Sequence, residues 1–175
     1  WLLADGATGT NLYNMGLVHG QAPDLWNESQ PDKVRALHAR MIAAGADVIL
    51  TNSFGANATR LRLAGAETRV HELNRTAARL AREAAQAARR AVVVAGSIGP
   101  TGEIMAPIGR LTEADAAEIF TEQAKGLKEG GADILWVETI SAPEEYRAAA
   151  EAAALAGMPW VGTMSFDTAG RTMMG

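Results

Sequence analysis

The 175-residue chain alternates short apolar runs with longer stretches of helical period. Residues 2–5, 47–52, 91–96, 133–138 and 160–166 are rich in Val, Ile and Leu without polar alternation, the pattern of parallel strands covered on both faces. Between them, Val34, Leu37, His38, Met41 and Ile42 fall on one helical face, as do Val70, Leu73, Ala77, Leu80 and Ala84. Ile119, Phe120, Ala124 and Leu127 form a third set, and residues 143–156 are nearly all Ala with Glu and Arg, which favours helix strongly. Thr112 with Asp115, and Ser141 with Glu144, have the spacing of capping boxes, and Gly45, Gly130 and Gly157 suit left-handed helix stops. Two longer loops, 11–30 and 99–111, follow strands, where loops of that length shape a site or a lid. Trp26, in the first, is placed either to cover a pocket or to pack on a rim.

The repeated order of strand then helix predicts an α/β fold. Ala44-Gly45-Ala46-Asp47-Val48-Ile49-Leu50 is echoed two strand–helix units later by Gly130-Gly131-Ala132-Asp133-Ile134-Leu135-Trp136. Such self-similarity suits a (βα)8 TIM barrel better than a doubly wound sheet. A barrel takes about 250 residues, so the chain holds about the first five strand–helix units. We expect residues 1–175 to be the N-terminal portion of a single barrel domain. The chain starts at Trp1 almost directly in a strand and stops at Gly175 just after a strand-and-turn pattern, so both ends are expected to lie inside a longer chain. An open five-stranded sheet is the alternative.

Polar motifs follow four of the apolar runs, and polar groups at successive strand C-termini are how such folds build sites. Asp5-Gly6 ends the first strand, where a carboxylate can grip an ammonium, hold a metal or simply bond its own turn. Glu138 follows an apolar run that includes Trp136, and a buried carboxylate there needs a partner. Together Asp5 and Glu138 could clamp one ligand ammonium, each charge-assisted bond contributing about 1.5–3 kcal/mol. Thr51, Asn52 and Ser53 offer neutral hydrogen bonds to a ligand or to their own loop. Gly96-Ser97-Ile98-Gly99-Pro100-Thr101-Gly102 has the look of a phosphate cradle but lacks the Gly-Lys-Ser/Thr ending of a P-loop. His19, His38 and His71 and all three lysines, Lys33, Lys125 and Lys128, lie off the strand ends, so no catalytic residue and no metal ligand is assigned within the chain.

Charge and composition narrow the classes. The formal net charge is -4 with no basic stripe, which argues against a nucleic-acid partner. Arg60, Arg62, Arg69, Arg79, Arg82, Arg89 and Arg90 are interrupted by Glu67, Glu72 and Glu83 and read as a solvated helix face. With no cysteine, disulfides and thiolate metal sites are excluded within these residues. No apolar run approaches the ~20 residues of a membrane span, and no signal peptide is visible, so a cytoplasmic location is expected.

The ordered series Asp5-Gly-Ala-Thr-Gly-Thr10, Gly45-Ala-Asp-Val-Ile-Leu-Thr-Asn-Ser-Phe54, Gly96-Ser-Ile-Gly-Pro-Thr-Gly102 and Glu138-Thr139 resembles the homocysteine S-methyltransferase family. The tail Ser165-Phe166-Asp167 with Gly170-Arg171-Thr172 fits too, and within the family the chain looks most like bacterial betaine–homocysteine S-methyltransferases. The resemblance implies a zinc-dependent barrel that methylates homocysteine to methionine, with betaine or a related compound as donor. It implies a lone cysteine after the sixth strand and a Cys-Cys pair after the eighth as zinc ligands, all beyond residue 175. A thiol of pKa ~8.5 is mostly protonated at neutral pH, and zinc binding deprotonates it. By the same resemblance Asp5 and Glu138 hold the homocysteine amino group, and Gly6, Thr51, Asn52 and Ser97 line the substrate pocket. Animal betaine enzymes carry a tyrosine after the second-strand motif; here that position is Gly55. The partners implied are homocysteine and a small methyl donor, without nucleic acid or membrane, and a homo-oligomer stays open. Two other readings remain: a Mg²⁺-dependent barrel lyase or aldolase using Asp5 and Glu138, and a non-catalytic amino-acid-binding fragment. Without the zinc cysteines, residues 1–175 alone are expected to be inactive.

Overall fold

The computed structural model describes residues 1–172. Its centre is a parallel sheet of four strands, β1 (Val48–Leu50), β2 (Val93–Ile98), β3 (Ile134–Ile140) and β4 (Trp160–Met164), arranged in the order in which they occur in the chain. The first predicted strand, 2–5, is reduced to a single parallel bridge between Ala4 and Val48. Trp1, Leu2 and Leu3 are exposed and carry no packing that would extend it. A doubly wound sheet reverses direction at a switch point, whereas here each strand is added beside its predecessor.

Helices cover one face of this sheet. Those before β1 are α1 (Thr8–Asn14), α2 (Trp26–Ser29) and α3 (Pro31–Ala43). The short α4 (Ala58–Leu61) and the long α5 (Val70–Ala87) follow β1, α6 (Glu113–Glu129) follows β2, and α7 (Pro143–Ala156) follows β3. Strand side chains alternate. Ile49, Val94, Ile98, Leu135, Val137 and Ile140 point out and are sealed beneath the helices. Val48, Leu50, Val93, Ala95, Ile134 and Trp136 form a second, concave layer on the other face. The outer layer meets Phe120, Ala124 and Leu127 of α6 and the alanines 148, 149, 152, 153 and 156 of α7. Small side chains on α7 let that helix lie close to the sheet. Gly126 on α6 and Gly130 just past its end do the same against α5. A Cβ at Gly126 would stand 2.6 Å from the His71 carbonyl oxygen, and one at Gly130 2.3 Å from that of Arg75.

Local signals explain most boundaries. Thr112 and Asp115 form the expected capping box at α6. Ser141 and Glu144 do not form one. Pro143 occupies the first turn of α7, needs no acceptor for a missing N–H, and leaves Ala142 as the uncapped N-cap. The left-handed stop expected at Gly130 falls one residue later, at Gly131 (φ 98°), while Gly45 and Gly157 take the left-handed backbone as expected. Trp26 packs against Leu12, Leu17, Val34, Leu37 and Leu80, so it belongs to the rim rather than to a lid.

The sequence echo marks a repeated clip. Asp47 opens β1 and accepts the Leu3 N–H (3.0 Å) while Arg90 pairs with its other oxygen at 2.9 Å. Asp133 opens β3 and accepts the Val94 N–H (2.8 Å) while Arg82 pairs with it at 2.5 Å. In both copies the carboxylate satisfies an amide of the preceding strand that the ladder leaves open.

Candidate functional site

At the C-terminal end of the strands lies a cavity of about 250 Å³. Its walls come from the chain after the Ala4 bridge (Gly6 to Gly9), the loop containing Pro23 and Asp24, the β1 exit (Leu50 to Gly55), Arg60 of α4, Ser97 of β2 and Glu138 of β3. Five of the six sequence-selected residues, Gly6, Thr51, Asn52, Ser97 and Glu138, therefore share one cavity. Asp5 lies beside it rather than in its lining.

Glu138 is half-buried and its Oε1 accepts the Ser97 hydroxyl at 2.6 Å. Burial pushes its carboxyl above the usual range, and the Ser97 hydroxyl opposes the shift. The next residue, Thr139, has φ 64°, and the β3–β4 register slips between Val137 and Ile140. A β-branched residue in that backbone region is strained by about 1–3 kcal/mol. The strain sits immediately beside the acid. Asp5 ties the segment after the Ala4 bridge to β1: its N–H donates to the Val48 carbonyl (2.9 Å) and its Oδ1 accepts the Leu50 N–H (2.9 Å). Burial lifts its carboxyl to about 6, the Leu50 N–H opposes this, and the charge of Glu138 adds to it. Among the described residues neither acid has an ion-pair partner. Two neighbouring carboxylates that pair with no cation leave a site of negative charge suited to an ammonium group.

The neutral residues around them serve the scaffold. Thr51 Oγ1 accepts the Ser97 N–H (2.9 Å) and shares a 2.6 Å hydrogen bond with the Ser53 hydroxyl, which reaches the Ser97 carbonyl. The Asn52 amide nitrogen donates to the Pro23 carbonyl (2.8 Å) and to Asn27 (3.3 Å). Gln123 of α6 donates to the Ser53 carbonyl at 2.7 Å from behind. The glycine-rich run 96–102 is not a cradle. Gly96, Ser97 and Ile98 are strand, and Gly96 and Gly99 give way to Leu127 and Phe54, each closer than 3 Å to a built Cβ.

Pro23, Asp24, Phe54, Gly55 and Arg60 also line the cavity. Phe54 and Gly55 belong to the second-strand motif of the sequence, only the length of the 11–30 loop points to Pro23 and Asp24, and Arg60 reads in sequence as part of a solvated face. Asp24 is buried, accepts the Gly55 N–H (3.0 Å), and is lifted to about 6 by burial, which that N–H and the Arg60 charge counteract. The arginine series is no single solvated face. Arg60 belongs to the cavity, Arg82 and Arg90 to the strand clips, and Arg69 pairs with Glu28 and Glu72. His38 is fully buried, its Nε2 has no partner among the described residues, and burial lowers its imidazole to about 4. It packs within α3, away from the cavity lining.

The described residues contain no group of three His, Cys, Asp or Glu side chains placed to hold a metal, and the sequence has no cysteine. These residues do not fit a zinc site by themselves. No described helix is long and apolar enough to cross a membrane.

Comparison with known proteins gives one consistent likeness. The family model described as Homocysteine S-methyltransferase matches residues 2–175. Methionine synthase of Mycobacterium tuberculosis (strain ATCC 25618 / H37Rv) is 32% identical, and that of Mycobacterium leprae (strain TN) 31% identical, each over 79% of this chain and 12% of the relative. The chain thus spans a small part of the curated relatives it matches. The oxidized form of the homocysteine methyltransferase MmuM from Escherichia coli aligns with a TM-score of 0.77 at 27% identity, over 94% of this chain and 61% of that one. Its metallated form gives the same TM-score at 24% identity, a likeness of fold.

Proposed function

The chain belongs to the homocysteine S-methyltransferase family, and we propose that its cavity holds homocysteine for methylation to methionine by the natural full-length protein. The observation that carries this reading is the Asp5–Glu138 pair, two half-buried carboxylates with no ion-pair partner among the described residues. Both would accept from the homocysteine ammonium, with the Ser97 hydroxyl fixing Glu138. Gly6 would let the ligand approach the backbone, and Thr51 and Asn52 would hold the wall in place. Anchoring the amino-acid end sets where the thiol lies, which is how a protein aligns sulfur with a methyl group.

The finer parts of the reading belong to the longer protein. The sheet would be the first part of a (βα)8 barrel, residues 1–175 contributing the N-terminal portion of one domain with five strand–helix units. The metal would be zinc, held by cysteines outside these residues. The donor would be betaine or a related methyl donor, and the setting the cytoplasm.

The test is homocysteine binding and methionine formation by the natural full-length protein and by its Asp5→Asn and Glu138→Gln variants. Each variant is expected to weaken homocysteine binding at least tenfold, about 1.4 kcal/mol. Unchanged affinity in both would remove the pair from the site and sink the reading.

A further inference from the structure

The cavity contains a second charged group that the ammonium clamp leaves unused. Arg60 leaves the short helix α4, whose start is fixed by Asn57: its Oδ1 accepts the Arg60 N–H (3.1 Å) and its Nδ2 donates to the Pro100 carbonyl (3.3 Å). Thr59 adds a 2.9 Å bond to the Thr101 carbonyl. The helix is thereby bolted to the loop after β2, and the arginine stem has a defined origin.

From there the side chain passes between two glycines. A Cβ at Gly55 would stand 3.2 Å from Arg60 Nε, and one at Gly102 would stand 3.5 Å from Nη1. The guanidinium carbon sits 5.8 Å from the centre of the Phe54 ring. Asp24 is near enough to feel its charge, yet the two form no ion pair. Among the described residues the guanidinium has no hydrogen bond at all. Other arginines without a partner, such as Arg62 and Arg75, are solvent-exposed, where water serves them. Arg60 is half-buried and faces the same cavity as Glu138. Its planar set of donors matches a carboxylate in two parallel bonds.

We propose that Arg60 is a specificity-determining residue that takes the carboxylate of a zwitterionic ligand bound in this cavity. The inference rests on the reading of the cavity as a homocysteine site. Two sources of that carboxylate share the chemistry: homocysteine itself, or a carboxylate-bearing methyl donor such as glycine betaine.

The experiment is calorimetric titration of the natural full-length protein, and of its Arg60→Met and Arg60→Lys variants, with four probes. Homocysteine is paired with 3-aminopropanethiol, which lacks the carboxylate, and glycine betaine is paired with tetramethylammonium, which lacks it too. Arg60→Met is expected to bind one carboxylate-bearing probe at least tenfold more weakly while its decarboxylated counterpart changes less than twofold. Loss with homocysteine assigns the substrate, and loss with betaine assigns the donor. Arg60→Lys, which keeps the stem and charge, is expected to fall between, and it replaces Arg60→Met if melting shows that variant misfolded. Homocysteine and betaine both within twofold of the unsubstituted protein would overturn the inference. If homocysteine then still depended on Glu138, the clamp would stand and only the role of Arg60 would fall. If the unsubstituted protein bound no homocysteine, both would fall.

Discussion

The two faces of the sheet follow different rules. On the helical face, Leu135, Val137 and Ile140 are completely buried within one apolar cluster. On the concave face, the alternate residues of the same strand, Ile134, Trp136 and Glu138, are only partly buried, and Val161 of β4 is 37% exposed. A period of two separates them up to Glu138, and the register slip at Thr139 then returns Ile140 to the sealed face. The face that holds the molecule together and the face that can bind something are thus written in interleaved positions of the same segments, so they can be perturbed independently.

The largest expected effect comes from breaking the sealed face. Phe120→Ala leaves a cavity between α6 and the sheet and should cost about 3–5 kcal/mol in denaturant unfolding of the full-length protein, while the folded fraction keeps its ligand affinity. Gly126→Ala forces a methyl toward the His71 carbonyl and should cost about 1–3 kcal/mol by separating α5 from α6. A smaller loss, or a loss of binding instead, would mean that the two faces are coupled.

The concave face should respond with the opposite sign. Asp5 titrates at about 6 in the folded protein, above its ordinary value of 3.8, so between those values the folded state binds more protons than the unfolded one. Its ionised form therefore destabilises the unliganded protein above pH 6, and that penalty is relieved as pH falls toward 4. Asp5→Asn should melt higher than the unsubstituted protein at pH 8, with the difference closing between about pH 6 and 4 in paired thermal scans. An ammonium ligand needs the ionised acids, so its affinity should decline as pH falls through the same window. A mutation that raises stability while removing binding is the signature of a site held at a cost to the fold. The smallest effect is expected at the exposed Arg147 ion pairs with Glu113 and Glu144. Arg147→Ala should change stability by less than ~1 kcal/mol, and less still in high salt.

Much of the fold was legible because strands covered on both faces advertise themselves as unbroken apolar runs, and because Thr112 and Asp115 carry their cap in the sequence. The Ala4 strand was overdrawn, since the run Leu2-Leu3-Ala4 has the composition of a strand but only one neighbour to pair with. Ser141 failed as a cap because Pro143 had already fixed the helix start. In the site, Glu138 stood out as a carboxylate after an apolar run, and Ser97 through the glycine-rich 96–102 motif and the family resemblance. Arg60 did not. It sits on a four-residue helix with no readable period, and its placement depends on Gly55 and Gly102 approaching from loops far apart in sequence. Thr51 and Asn52 do line the cavity, yet most of their hydrogen bonds go to the protein's own backbone.

The paired clips at Asp47 and Asp133 bear on how the molecule comes together during synthesis. Each joins a strand to the one made just before it, across 44 residues in the first case and 39 in the second. Closing a loop of that size costs little more than closing one half as long, because the entropy grows only with the logarithm of length. A nascent chain could therefore lock each new strand onto the last as soon as its helix has emerged, with no need to wait for a distant partner.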